Sequence, residues 1–185
     1  MFRNDGTPLR WLQDFWSRVE NASQDRGDVV RTPTLATIGP TGPEVRMVVL
    51  RHVLPDTCQM VVYTDAASNK VSQMSFDPMV QLCFWDPHLR VQMRASGVAQ
   101  RAHESERDRV WSAMSQACRS SYDRMPPPGT EIASPGDVTG SDENRLVIFK
   151  LTINATDILR LDRMGHRRCQ AVQVDGQWDA HWVSP

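Results

Sequence analysis

Apolar residues recur at helical spacing near the start of the chain, where Leu9, Leu12, Phe15, Trp16 and Val19 are separated by polar residues. This spacing predicts an amphipathic helix over Pro8–Gln24, ended by Gly27 and Asp28. From Val29 onward the pattern changes to short runs rich in Val, Thr and Ile, which predict strands over 29–38, 44–53 and 58–63. Gly39-Pro40 and Pro55-Asp56 supply the turns between them. A short helix is expected over 67–75, with Asp65 or Ser68 at its N-terminal end and Asp77-Pro78 closing it. Strands follow over 79–85 and 89–100. In the second, Val91, Met93 and Ala95 alternate with Gln92, Arg94 and Ser96, so Gln92 and Arg94 share a face. A helix is expected over 103–122. The segment 125–144 holds Pro126-Pro127-Pro128-Gly129, Pro135-Gly136 and Gly140, too many breakers for a regular element, and reads as a long loop. Strands return over 145–153, 157–163, 168–174 and 178–183, the last two joined by an Asp175-Gly176 hairpin turn.

About eight strands with two or three helices, and no alternation of strand and helix, predict an α+β protein built on an antiparallel barrel. The 185 residues suffice for one cored domain, taken here as 1–185. The formal charge of -1 gives no reason to expect nucleic acid or membrane as a partner. Of the 21 basic residues, Lys70 and Lys150 are the lysines, so the positive charge sits mostly on guanidinium groups, which suit carboxylates and phosphates. Cys58, Cys83, Cys118 and Cys169 lie far apart, with no C-x-x-C pair and no His at ligand spacing, and no metal site is expected. The chain start lacks an apolar signal core and no run is long enough to span a bilayer, so a cytoplasmic protein is expected.

The residues richest in chemistry form one series. Arg46-Met47-Val48-Val49-Leu50-Arg51 is a strand with an arginine at each end, Tyr63-Thr64 ends a second strand, and Ser68-Asn69-Lys70 brings a hydroxyl, an amide and an ammonium to a helix start. These groups could converge on one anion, because a helix N-terminus offers free N–H groups and a favourable dipole. Charged residues at strand ends are more often a solvated barrel rim. There is no G-x-G-x-x-G and no G-x-x-x-x-G-K-[ST], so any phosphate here is bound by side chains and strand backbone.

In order and separation the series resembles the FMN-binding core of the pyridoxamine 5'-phosphate oxidase family, whose pattern runs R-M-V-L-L-K, F-Y-T-N, S-R-K, N-P and R-Q-V-x-V-x-G. Here the matching residues are Arg46 to Arg51, Val62-Tyr63-Thr64-Asp65, Ser68-Asn69-Lys70, Asp77-Pro78 and Val91-Gln92-Met93-Arg94-Ala95-Ser96-Gly97. The resemblance implies a split β-barrel with flanking helices and an FMN cofactor. It places Arg46, Ser68 and Lys70 around the FMN phosphate, Met47, Val48, Val49 and Leu50 along the isoalloxazine, Tyr63 and Thr64 beside the ribityl chain, and Arg51 and Asn69 among the other cofactor contacts. Gln92 would reach a ring heteroatom. Because the family's site lies between subunits, the resemblance also implies a homodimer in which Arg168 and Leu161 arrive from the second copy.

The chain departs from the family pattern on the substrate side. Arg51 stands where the family has a lysine that contacts substrate phosphate, and Met164-Gly165-His166 stands where it has R-L-H. Arg51, His166 and Arg119 are therefore the residues expected to hold substrate. No acid, base or nucleophile is assigned, since FMN carries the hard chemistry. Three functions fit this reading: an oxidase acting on an amine or alcohol of a small phosphorylated substrate, a reductase of another small molecule, and a non-catalytic flavin-binding protein.

Overall fold

The computed structural model describes residues 1–3, 6–141 and 143–185, so residue 142 of the breaker-rich segment lies outside the described residues. Helix α1 (Pro8–Gln24) forms where predicted, with Pro8 in its first turn and the Thr7 side chain accepting the Arg10 N–H as N-cap. Its inner face buries Trp11, Phe15 and Val19 completely. Arg18 ties this helix to the sheet, with Nε 2.7 Å from Asp86 and Nη1 2.7 Å from Asp28.

The strands are β1 (Thr34–Gly39), β2 (Gly42–Met47), β3 (Leu50–Leu54), β4 (Gln59–Asp65), β5 (Met79–Asp86), β6 (Val91–Arg101), a short ribbon of β7 (Arg124–Met125) and β8 (Thr139–Gly140), then β9 (Leu146–Arg160), β10 (Arg167–Val174) and β11 (Gln177–Val183). All pairings are antiparallel. The main order is β11-β10-β9-β6-β5-β1-β2, and β4 pairs both β3 and the first half of β9. Strand β9 therefore bends around the core, carrying β4 at its start, β10 at its end and β6 along its length. Helix α2 (Asn69–Phe76) follows β4, and α3 (Glu104–Ala113) and α4 (Gln116–Arg119) follow β6. The mixed α/β architecture with one large antiparallel sheet agrees with the expected class.

Four boundaries differ from the sequence expectation, each for a local reason. The strand expected over 29–38 begins at Thr34, because Asp28 caps a 3-10 turn at Val29–Arg31 through the Val30 N–H and Pro33 cannot donate to a ladder. The strand expected over 44–53 is two strands, broken at Val48-Val49: the Val48 N–H still reaches the Pro33 carbonyl in register with β1, but Pro33 has no N–H to return the bond and the β1–β2 ladder stops there. The helix expected over 103–122 breaks at Met114, whose backbone is extended. Segments 145–153 and 157–163, expected as separate strands, join as one, with Asn154 absorbed as a bulge: Ser96 faces Ala155 while Gly97 faces Ile153. Among the described residues no helix is long and apolar enough to cross a membrane.

Candidate functional site

Strand alternation turns Arg46 toward the core side, since it pairs with the fully buried Leu35. There its guanidinium donates to Thr37 Oγ1, to Gln73 Oε1 at 2.9 Å and to the half-exposed Glu44 at 3.2 Å. Thr37 and Gln73 are themselves buried and joined by a 2.7 Å bond. On the same helix as Gln73, one turn earlier, Lys70 Nζ donates to Thr64 Oγ1 at 3.1 Å and to Ser68 Oγ. Burial lowers the Lys70 ammonium below its ordinary value, and the nearby Arg46 charge lowers it further, against a partial offset from Asp65. Asp65 spends its carboxylate elsewhere, on Arg145 at 2.8 Å and on the Ala67 N–H. Among the described residues no carboxylate lies within ion-pair distance of Lys70.

Ser68 is the N-cap of α2 but makes no capping bond, so the first N–H groups of the helix stay open to an anion. The structure thus brings together Arg46, Thr64, Ser68 and Lys70, four of the residues singled out in the sequence, with Asn69 at the first position of α2. Two cations, two hydroxyls and an open helix start form a donor set that fits a phosphate monoester dianion. Thr37 and Gln73, which fix Arg46, were not singled out. What the sequence offers for them is position alone: Thr37 faces the same side of β1 as Leu35, and Gln73 lies three residues after Lys70.

The turn between β2 and β3 exposes Met47 and buries Val48 and Leu50, Leu50 completely. The side chains of Val48 and Leu50 belong to the core, and this turn offers an outside ligand its backbone, Met47 and Val49. Tyr63 is half-buried nearby, with the Arg51 guanidinium 5.5 Å from its ring centre. Thr64, the next residue, is buried.

Gln92 and Arg168 sit on the other face of the sheet. Gln92 pairs with Trp85 and Leu159, and Leu159 pairs with Arg168, so the three strands β6, β9 and β10 carry them outward in one row. Arg46 and Gln92 also lie on strands three places apart, about 14 Å at ~4.8 Å per strand. One chain does not bring them together. Beside Gln92, Asp157 accepts from Arg168 at 2.7 Å, from Gln170 at 2.8 Å and from Arg94. Burial alone would raise this carboxyl, but the hydrogen bonds from Arg168, Gln170 and Arg94 outweigh it and hold it below the ordinary carboxylate value. Leu161, just past β9, is fixed by its N–H to the Arg90 carbonyl at 2.9 Å.

The residues expected to hold substrate are spread out. Arg51 donates from Nη2 to the Tyr122 hydroxyl at 2.7 Å. Arg119 caps α3, donating to the carbonyls of Trp111 and Ser112 at 3.0 and 3.1 Å with its guanidinium over the Trp111 ring. His166 lies in the exposed turn before β10, where its Nδ1 accepts the Asp162 N–H at 3.3 Å. Neither contacts Arg51.

The pyridoxamine 5'-phosphate oxidase FMN-binding domain matches residues 9–103, from α1 through β6. The pyridoxine/pyridoxamine 5'-phosphate oxidase of Microcystis aeruginosa is 27% identical over 178 residues, covering 82% of this chain and 78% of that protein. The enzyme of the same name from Trichormus variabilis is 37% identical over 105 residues, 56% of this chain and 47% of its own length. Among solved structures, a pyridoxamine 5'-phosphate oxidase-related, FMN-binding protein from Nostoc punctiforme superposes with a TM-score of 0.77 at 24% identity, covering 98% of this chain and 100% of that one. PhzG from Burkholderia lata, in complex with tetrahydrophenazine-1-carboxylic acid, superposes at 0.75 with 16% identity, covering 98% and 95%. At these identities the structural likeness speaks to the fold.

Proposed function

The chain belongs to the pyridoxamine 5'-phosphate oxidase FMN-binding domain family, and from that premise we propose that it is an FMN-dependent oxidoreductase acting on a small anionic substrate. The observation that carries the reading is the Arg46–Lys70 cluster, in which two partly buried cations face the open start of α2 without a carboxylate on Lys70. Arg46, Lys70, Ser68 and Asn69 would hold the FMN phosphate, Thr64 and Tyr63 would border the ribityl chain, and the backbone of Met47 to Leu50 would meet the ring. When bound, the flavin supplies hydride acceptance and, in air, reoxidation by dioxygen.

The outward row of Gln92 and Arg168, with Leu161, faces away from Arg46 and calls for a second copy of the chain. The same sheet face exposes Val45, Met47, Met79, Trp85 and Val172, an apolar surface that a homodimer would cover. Arg51 follows the ring-facing turn directly and would orient the substrate's anionic end, leaving the carbon that bears an amine or alcohol beside the ring.

A reductase using a nicotinamide donor is the second reading, favoured by the commitment of Arg119 to the α3 cap and by the separate place of His166. The two are told apart on the yellow holoprotein in air. Peroxide formed with an amine donor, pyridoxamine 5'-phosphate being the reference, supports the oxidase. Flavin bleaching by a nicotinamide donor without amine-dependent peroxide supports the reductase, and a protein that takes up no FMN defeats both.

A further inference from the structure

Arg51 occupies an irregular place in the sheet. In the β3–β4 pair, Leu50 faces Val62 and His52 faces Val61, so Arg51 is the extra residue of a β-bulge and has no cross-strand partner. A bulge re-aims the side chain it carries, and here the side chain leans over Tyr63 and meets Tyr122, which sits in the short irregular link between α4 and β7. Tyr122 is held there by a small apolar cluster with Val61, Leu146 and Ile148. Its phenol oxygen accepts from Arg51, so its own proton is left to donate, and it has no acceptor among the described residues.

The charge around Arg51 is equally specific. Its Nε is buried without a partner, and among the described residues no carboxylate lies within ion-pair distance of it. The neighbouring cations are committed: Lys150 to Glu106 at 2.7 Å, Arg145 to Asp65 at 2.8 Å and Arg119 to two backbone carbonyls. A guanidinium that has lost water on one edge and gained no counter-charge favours an anion on its remaining edge. The contrast within the molecule is informative, because the Arg46–Lys70 cluster offers two cations with several hydroxyls, as a phosphate dianion needs. Arg51 offers one positive charge, a planar fork and one phenol proton beside it.

Resting on the proposed flavin reading, we infer that Arg51 and Tyr122 form a joint acceptor for a single carboxylate, and that the substrate is a ring-bearing monocarboxylate rather than a phosphate ester. The fork of Arg51 and the hydroxyl of Tyr122 meet the two carboxylate oxygens, and Tyr63 and His52, whose rings lie 6.3 Å apart, supply an aromatic wall for the attached ring. A phosphate would bring a second charge and a third oxygen that these groups leave unmatched.

The matched pair benzoate and phenyl phosphate tests this on the FMN-loaded protein, read by the change in flavin absorption and by ligand-observed NMR. Benzoate is expected to bind roughly tenfold or more tightly than phenyl phosphate. Arg51→Met is expected to abolish benzoate binding, and Tyr122→Phe to weaken it while leaving FMN affinity as it was. Arg51→Lys, which keeps the charge and loses the fork, is expected to erase the preference and serves where Arg51→Met does not fold. Equal or tighter binding of phenyl phosphate, binding of neither ligand, or benzoate affinity unchanged in the Arg51 variants would overturn the inference. FMN uptake is measured separately, so failure of the flavin reading shows as absent uptake, and the carboxylate site is then decided by whether Arg51→Met removes benzoate binding, a change that leaves the Arg46–Lys70 cluster intact.

Discussion

Gly97 is where the central sheet has least room. A Cβ built there would lie 2.1 Å from the Thr152 carbonyl oxygen, 2.8 Å from its carbon and 2.9 Å from Ile153 Cα, all backbone atoms of β9. No rotamer relieves a clash with backbone, so Gly97→Ala forces β6 and β9 apart by about 1 Å at the bulge that joins them. Overpacking of this kind costs about 1–3 kcal/mol, and for a chain of this size each kcal/mol lowers Tm by roughly 2–4 °C. A drop of about 2–12 °C follows. Gly140, with open space around its Cβ position, is the control, and Gly140→Ala should stay within about 0.5 kcal/mol of wild type. Thermal unfolding followed by circular dichroism, with urea midpoints as a check, measures both. A Gly97→Ala protein as stable as the Gly140→Ala control would refute the β6–β9 packing described here. The clash also gives a physical reason for the glycine that ends the Val91 to Gly97 motif.

Three further outcomes are expected. Trp11→Ala removes a fully buried ring that packs on Phe2 and Trp182 and should cost about 3–5 kcal/mol in urea unfolding. Because Lys70 in the folded protein sits below its ordinary value, the unfolded chain holds that proton more tightly, and apoprotein stability gains as pH rises through the interval between the two values; Lys70→Met should remove that gain in denaturation midpoints across the alkaline range. Asp157 is held below the ordinary carboxylate value, so its contribution is present above about pH 4 and is lost as pH falls through the folded value; Asp157→Ala should cost roughly 1–3 kcal/mol at neutral pH, since it leaves Arg94 and Arg168 side by side without their carboxylate, and urea melts should show that difference at pH 7 and converge on wild type only at a pH below the folded value.

The chain made its long periodic elements plain. Helix α1 was legible to its ends because apolar spacing, Pro8 and the Gly27 stop agree, and β6 was legible because its alternation is clean. What was hidden depends on contacts distant in sequence. The break at Val48-Val49 follows from Pro33, which faces Val48 across the ladder and has no N–H to give it, and the joining of two predicted strands into β9 follows from a bulge that absorbs Asn154 against Ser96 and Gly97. At the site, residues within one local run were found, Arg46 through Lys70, because strand ends and a helix start lie close in sequence. Thr37 and Gln73, which orient Arg46, and Tyr122, which meets Arg51 from 71 residues away, carry no local signal strong enough to separate them from ordinary buried polar residues. The opposite facing of Arg46 and Gln92 was implicit in strand alternation but needed the sheet order to be seen.

The central claim is that Arg46 and Lys70 cradle the FMN phosphate, and comparing FMN with riboflavin tests it most directly, since the two differ by that phosphate. With each charge-assisted contact worth about 1.5–3 kcal/mol, two such contacts should make FMN bind roughly 10²–10⁴-fold more tightly than riboflavin in a fluorescence titration. Arg46→Ala combined with Lys70→Ala should abolish that difference while riboflavin affinity stays where it was. Equal affinity for the two flavins in the wild-type protein, or a double variant that still prefers FMN, would contradict the account.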